Sequence, residues 1–385
     1  MMRRIIHFFM IVSFITLSQL HATPRQGGIG LLYVHSAQLL QKGYLQFYAG
    51  TQYFGKVASI GSGRAYALWN VQGFMSLNLG ISSHIELAFS PIFYQDTNNN
   101  KGNILEGQAN AFDDLFLSLK LGSFGAMESP FLFGGMLGVR FPTAKTHNIL
   151  YEPYSAGKLE VTATGIVSYF SNTIFPDENW SIHGNLSYLY HNDVGKSLTD
   201  DPTDPVPQAI SSEILFGVGL KYPAGTFDFS GEINARTFLN DPPVTAYSRE
   251  YVSYLTAGVY YKPYPWVTFE MGVDLRLISE KDQSDYANTA LPAPPVDFPN
   301  YPTWRGILGV KLAILPTSLF RTSEKALLEE RALERNTIIE QMMEGRQDTE
   351  DAESELERIR SERQSIEEEL KRLRKLLEDE RNNND

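Results

Sequence analysis

Between residues 43 and 315, apolar and polar side chains alternate with period 2, segment after segment. From Ala65 to Ile81 the odd positions Ala65, Ala67, Trp69, Val71, Met75, Leu77, Leu79 and Ile81 are apolar. Tyr66, Asn70, Gln72, Ser76 and Asn78 lie between them. Successive side chains of a strand point to opposite faces, so the pattern predicts a long strand with one apolar face. Strands of soluble domains run about 3–10 residues. A strand that crosses a membrane needs ~9–11, plus any extension past the lipid.

Twelve such segments are readable, at about 43–54, 65–81, 84–95, 111–122, 130–141, 157–170, 179–191, 211–222, 226–238, 250–262, 266–278 and 303–315. Their connections alternate long and short. The long ones, about 55–64, 96–110, 142–156, 192–210, 239–249 and 279–302, hold most of the Asn, Asp and Pro. The short ones include Ser82-Ser83, Pro223-Ala224-Gly225 and Pro263-Tyr264-Pro265. An up-and-down meander with every second connection short is the plan of an outer-membrane barrel. Lipid offers no partner to an unpaired strand edge, so a spanning sheet must close on itself. The expected fold class is therefore all-β: a twelve-stranded antiparallel transmembrane up-and-down β-barrel over 43–316. Its apolar face meets lipid and its polar face the lumen. An even strand count returns both chain ends to the periplasmic side. A soluble sandwich or lipocalin-like barrel is the alternative.

The two ends of the chain are of different character. Arg3 and Arg4 followed by the apolar run Ile5 to Leu20 read as a signal peptide over 1–22, with cleavage near Ala22. Residues 23–42 then form a short periplasmic N-terminal segment, and the sequence leaves open whether it or the long loops plug the pore. Ser323 to Arg381 contains no Pro, one Gly and abundant Glu, Arg, Leu and Ala. There Leu356, Ile359, Ile366, Leu370, Leu373 and Leu377 follow a 3-4 spacing, interrupted by Arg363. That is a heptad seam and predicts a periplasmic α-helical coiled-coil tail over 317–385 that self-associates. A solitary solvated helix is the bland reading.

Composition sharpens this only a little. The chain has no cysteine, which removes disulfides, thiol catalysis and a lipidated cysteine. A formal charge of −12 argues against nucleic acid as partner. Charges at inward positions are the candidate lumen lining: Glu86, Lys120, Arg140, Asp228, Glu232, Arg236, Glu270, Asp274, Arg276, Arg305 and Lys311. Mixed signs in a narrow lumen suggest paired ladders, either as plain structural lining or as a selectivity zone for small solutes.

No cofactor, metal or catalytic set is expected. His183, Ser187 and His191 share one strand face, but a spacing of four residues is ~13 Å, too far for a nucleophile and its base. Asp96, Asn98, Asn100 and Glu106 resemble a calcium loop only loosely, and solvated turn residues describe them better.

Two stretches resemble known families. Gly28-Ile29-Gly30-Leu31-Leu32-Tyr33-Val34-His35-Ser36-Ala37, then Leu40 and Gly43-Tyr44-Leu45, is similar to the opening of a group of bacterial outer-membrane barrels of unassigned function. Phe112 to Lys120 with Gly138-Val139-Arg140-Phe141-Pro142-Thr143 resembles a motif of the meta-pathway phenol degradation barrels. Asp113 and Ala144 stand where that motif has glycine. The resemblance implies an outer-membrane transporter or porin passing small, often aromatic, compounds. A passive solute channel is thus the leading expectation, an envelope anchor carrying a spacer tail the runner-up, and an outer-membrane enzyme the least favoured.

Overall fold

The computed structural model describes residues 28–60, 64–99, 102–103, 110–126, 129–150, 152–278, 282–293 and 300–316. In a second compact unit it describes 354–361, 363, 364 and 368. The first unit is one antiparallel sheet of fourteen strands, two of them the two-residue pieces Gly102–Asn103 and Asn110–Ala111. The other twelve are β1 (Leu45–Ile60), β2 (Arg64–Ser82), β3 (Ile85–Asn99), β4 (Leu115–Phe124), β5 (Phe131–Phe141), β6 (Glu160–Phe170), β7 (Ser181–Tyr190), β8 (Ser212–Ala224), β9 (Phe227–Asn240), β10 (Val252–Tyr264), β11 (Val267–Arg276) and β12 (Trp304–Leu315). Each pairs with its sequence neighbours, and β1 pairs with β12 from Leu45↔Leu315 to Tyr53↔Gly306. The sheet is therefore a closed twelve-stranded barrel.

The alternation read from the sequence has the predicted phase. On β4, Leu117, Leu119 and Leu121 are exposed while Ser118 and Lys120 are buried. On β9, Phe227, Phe229 and Ile233 face out and Asp228, Ser230 and Glu232 face in. Val267 at the start of β11 departs from this: it is buried, although its phase assigned it to the apolar outer face. A continuous outer belt of Leu, Phe, Val and Ile around a closed sheet is the surface of a membrane-spanning barrel. Aromatic side chains gather at its short-turn end, where Phe227 stacks on Tyr261 at 4.9 Å and Tyr264 on Trp266 at 5.7 Å. That is the girdle expected at a lipid–water boundary.

Two connections differ from their expected length. Residues 55–64 were expected to be a long loop, but β1 and β2 stay paired up to Ile60↔Arg64. Gly55-Lys56-Val57 continue the extended alternation, so the hairpin carries on past the last β1–β12 pair, Tyr53↔Gly306. The loop expected over 96–110 is shortened in the same way, because β3 stays paired with β2 up to Leu68↔Asn99.

The N-terminal segment settles what the sequence left open. Residues 28–40, part of the segment 23–42 placed in the periplasm, are packed inside the barrel. Ile29, Leu31, Leu32, Val34, Ala37, Leu39 and Leu40 are all buried. Leu32 packs on Tyr260 and Ile307, Ala37 on Met136 and Ile166, and Leu40 with Ile29 on Tyr44 and Ala313. Burying each large aliphatic side chain contributes about 1.5–3 kcal/mol, which an apolar segment in water would forgo. The wall makes room for it: a Cβ at Gly80 or Gly122 would collide with the carbonyl oxygens of Gln41 and Ala37.

In the second unit, the described residues at 354–361, 363, 364 and 368 are helical. Leu356 and Ile359 are exposed there, and Ile366, Leu370, Leu373 and Leu377 lie outside the described residues. So does the signal peptide expected over 1–22.

Leu117 and Val273 are exposed mid-strand on the outer belt. Leu117→Arg and Val273→Arg are each expected to cost ~2–4 kcal/mol of stability in lipid, measured by urea unfolding from vesicles. Leu117→Phe and Val273→Leu should stay near wild type. Equal tolerance of Arg and Phe at these positions would contradict the assigned outer face.

Candidate functional site

All eleven charged residues proposed from the alternation lie on inward faces, and each has a partner. At the short-turn end, Asp228 accepts from Lys262 at 2.6 Å and pairs with Lys221 at 3.4 Å. Glu270 pairs with Lys311 at 3.1 Å. Carboxylates and ammonium groups this deeply buried must be paired, because an isolated charge in a dry interior is far too costly.

Three of the eleven hold the backbone of the plug. Residues 29–36 form a small hairpin, with Leu31 N donating to Val34 O at 2.7 Å and Ser36 N to Ile29 O at 3.0 Å. The turn aims three consecutive backbone N–H groups at one side chain. Leu32, Tyr33 and Val34 donate to the Glu232 carboxylate at 2.8, 2.9 and 2.8 Å. Lys120 Nζ donates to the carbonyls of Ile29 and Gln38, at 2.8 and 3.1 Å. Glu86 accepts the N–H of Leu40 at 2.8 Å. Sequence reasoning placed these three charges in the lumen but not their partners, which are backbone groups and carry no side-chain signature. Asn185 adds a paired contact, accepting from His35 N at 2.6 Å and donating to His35 O at 2.9 Å.

The long-loop end carries a different set. Arg140 reaches Asp114 at 2.5 Å and Glu160 at 3.3 Å. His191 bridges Glu160 at 3.0 Å and Glu213 at 2.9 Å. Glu213 in turn accepts Arg236 at 2.5 Å. The result is a continuous chain of charge across the wall from β4 to β9. On the far side Arg305 pairs with Asp274 at 2.9 Å, and Asp274 also accepts from Tyr33 of the plug and Thr256. Arg276 donates to Tyr301 O at 3.0 Å. Sequence reasoning did not single out Asp114 and Tyr33. Asp114 lies within the expected segment 111–122 but was not counted among the lumen charges, and Tyr33 sits in the N-terminal segment. His191 was weighed for catalysis and is instead the bridge of this chain.

Above the chain, the long loops interlock. Tyr154 donates to Asp193 at 2.7 Å, Tyr247 N to Asn148 at 2.8 Å, Ala290 N to Asp204 at 2.9 Å and Tyr301 to Ser248 O at 3.2 Å. Tyr154, Ala156 and Ala246 make a small apolar core there. Between plug and loops lies a chamber of about 250 Å³. Tyr33 and His35 of the plug, Tyr154 and Tyr301 of the loops, and Arg140, Arg236 and Arg305 of the wall all reach it.

Comparison with known proteins yields no matching family model and no matching curated protein. Solved structures do match. The NanC porin shares 9% identity at a TM-score of 0.43, over 70% of this chain and 98% of that one. An outer-membrane channel from Pseudomonas putida F1 shares 12% at 0.45, over 72% and 98%. The toluene transporter TbuX of Ralstonia pickettii shares 8% at 0.35, over 71% and 90%.

His191, just past the end of β7, gives a pH signature. Burial opposes its charge, but hydrogen bonds and attraction from Glu160 and Glu213 outweigh it and raise its pKa from 6.5 to about 9. A raised folded-state pKa stabilises fully below the ordinary value and is lost as pH climbs through the folded one. The urea midpoint in detergent should therefore fall as pH rises from 6.5 through about 9. His191→Gln should flatten that slope. An unchanged slope in the variant would show that His191 does not carry the charge.

Proposed function

We propose that the protein is an outer-membrane channel for small solutes, in which the N-terminal segment is an internal plug that restricts passage. The observation that carries this is the chamber: a polar-and-aromatic space held in the lumen between a plug and interlocked loops. A barrel serving only as an anchor has no need of one. Its size, at about 250 Å³, sits just under the usual range for small-molecule sites. The plug is held by apolar packing and by hydrogen bonds to a few wall side chains, a design that can release without opening the barrel wall. We place the short turns and both chain ends in the periplasm, as in bacterial barrels of this plan. The helical tail then extends into the periplasm, where the exposed Leu356 and Ile359 favour self-association. An anchor role for the barrel is the second reading, favoured by how completely residues 28–40 fill the short-turn half.

Glu232→Gln tests the channel. A neutral amide offers one acceptor oxygen where the carboxylate offers two, and hydrogen bonds to a charged group are worth about 1.5–3 kcal/mol each. Wild-type protein in planar bilayers should show small, steady conductance, and Glu232→Gln larger and flickering conductance. Insulating behaviour of both would favour the anchor. Orientation is tested separately. Thr203→Cys and Asn288→Cys should react with an impermeant maleimide on whole cells, and Ala224→Cys only after the outer membrane is breached. The opposite pattern would invert the barrel.

A further inference from the structure

The chamber has a definite chemical character once its charges are followed to their partners. Four buried carboxylates stand behind it, and every one of their oxygens is engaged. Asp114 Oδ2 takes Arg140 and Oδ1 the N–H of Ala144. Glu160 divides between Arg140 and His191. Glu213 divides between His191 and Arg236. Asp274 divides between Thr256 on one oxygen and Tyr33 with Arg305 on the other. Against these four stand Arg140, Arg236, Arg305 and the His191 imidazolium. The set is close to neutral, and Glu152, which also lines the chamber, adds a negative charge. An anionic guest gains little there, and a cationic one meets three guanidinium groups.

Unspent donors remain. Among the described residues, Arg305 spends only its Nε on Asp274 and Arg236 its Nε and Nη2 on Glu213. Asn234 also lines the chamber, and its Nδ2 is buried without a hydrogen-bond partner. A buried donor left unpaired is costly, and a guest oxygen would recover that cost. The surrounding walls are rings. Tyr254 and Tyr301 turn their hydroxyls away, to Pro302 O at 2.8 Å and Ser248 O at 3.2 Å, and so offer ring surface with Phe74 and Phe116. Ring surface suits the C–H face of a small cyclic guest. Four spent carboxylates, spare donors and near-neutral charge suit a guest that is uncharged and rich in hydroxyl groups.

We propose that the chamber binds a small neutral polyhydroxylated solute, of the class of a mono- or disaccharide, with Asn234 and the guanidinium of Arg305 as its donors. This rests on the reading of the barrel as a solute channel and names the solute. A phenol would fill the rings but offer only one oxygen to the donors, and a carboxylate would meet Glu152.

The test uses full-length refolded protein in detergent and titration calorimetry with four probes: glucose, maltose, benzoate and phenol. One or both sugars should bind saturably and more tightly than benzoate or phenol. Asn234→Leu, which keeps the volume and removes the donor, should weaken sugar binding about tenfold, the equivalent of one good hydrogen bond. Asn288→Leu, on an exposed loop, should leave it unchanged. Tighter binding of benzoate or phenol, no saturable sugar binding, or unaltered sugar affinity in Asn234→Leu would each overturn the proposal. The ranking of probes is read on wild-type protein, so it stands even where Asn234→Leu fails to refold. Protein that conducts ions but binds no sugar overturns this inference alone. Protein that binds sugar but does not conduct overturns the channel reading alone.

Discussion

Hydrocarbon offers no hydrogen-bond partner, so a sheet in lipid must close, and the β1–β12 ladder is where this chain meets that demand. The rest follows from closure. Once the ring is shut, one face of every strand is committed to lipid and becomes apolar. The other is committed to a narrow interior, where charges can no longer be left to water. The inward carboxylates are therefore matched with Lys, Arg, His or backbone N–H groups. The plug obeys the same rule from the other side. Its backbone has no ladder of its own beyond one bridge, Gly30↔His35, so wall side chains supply the partners. Glu232, Lys120, Glu86 and Asn185 are the four that matter most.

Much of this was legible in the sequence, because a strand's period of 2 is a local signal. The twelve strands and the outward phase of most of their apolar residues could be read from alternation alone. Residues 55–60 were misjudged because a paired extension past the lipid has the same small and polar residues as a loop. The plug was left open for a deeper reason. Residues 28–42 have no strand period, and their role is set by contacts with residues 200 and more positions away, such as Leu32 with Glu232 and Tyr33 with Asp274. A signal was nonetheless present. Ile29, Leu31, Leu32, Val34, Leu39 and Leu40 are too apolar for a solvated segment, and the inward position Gly80 leaves the wall room for it. The chamber was harder still. Its charge chain joins strand ends to residues outside strands, Asp114 and His191, and no spacing rule connects those.

Plug, chamber and loops divide the lumen into three zones with separate tasks. At the short-turn end the interior is dry, filled and held by hydrogen bonds to backbone. In the middle it keeps a small space with spare donors. At the long-loop end, Tyr154, Asn148, Asp193 and Tyr301 tie the loops to one another rather than leaving them to solvent. A solute entering from the loops would meet ring surface and donors before it met the plug.

The central claim is that residues 28–42 occupy the lumen and govern passage through it, and a reversible lock between plug and wall tests it most directly. A Cβ built at Gly217 on β8 would lie 3.0 Å from Val34 Cγ2, and the native chain has no cysteine to interfere. The pair Val34→Cys with Gly217→Cys, inserted in a planar bilayer, should form a disulfide on mild oxidation. Conductance should then drop, and reductant should restore it. Two thiols that both react with a small reagent yet never join, or a disulfide that leaves conductance unchanged, would contradict the account.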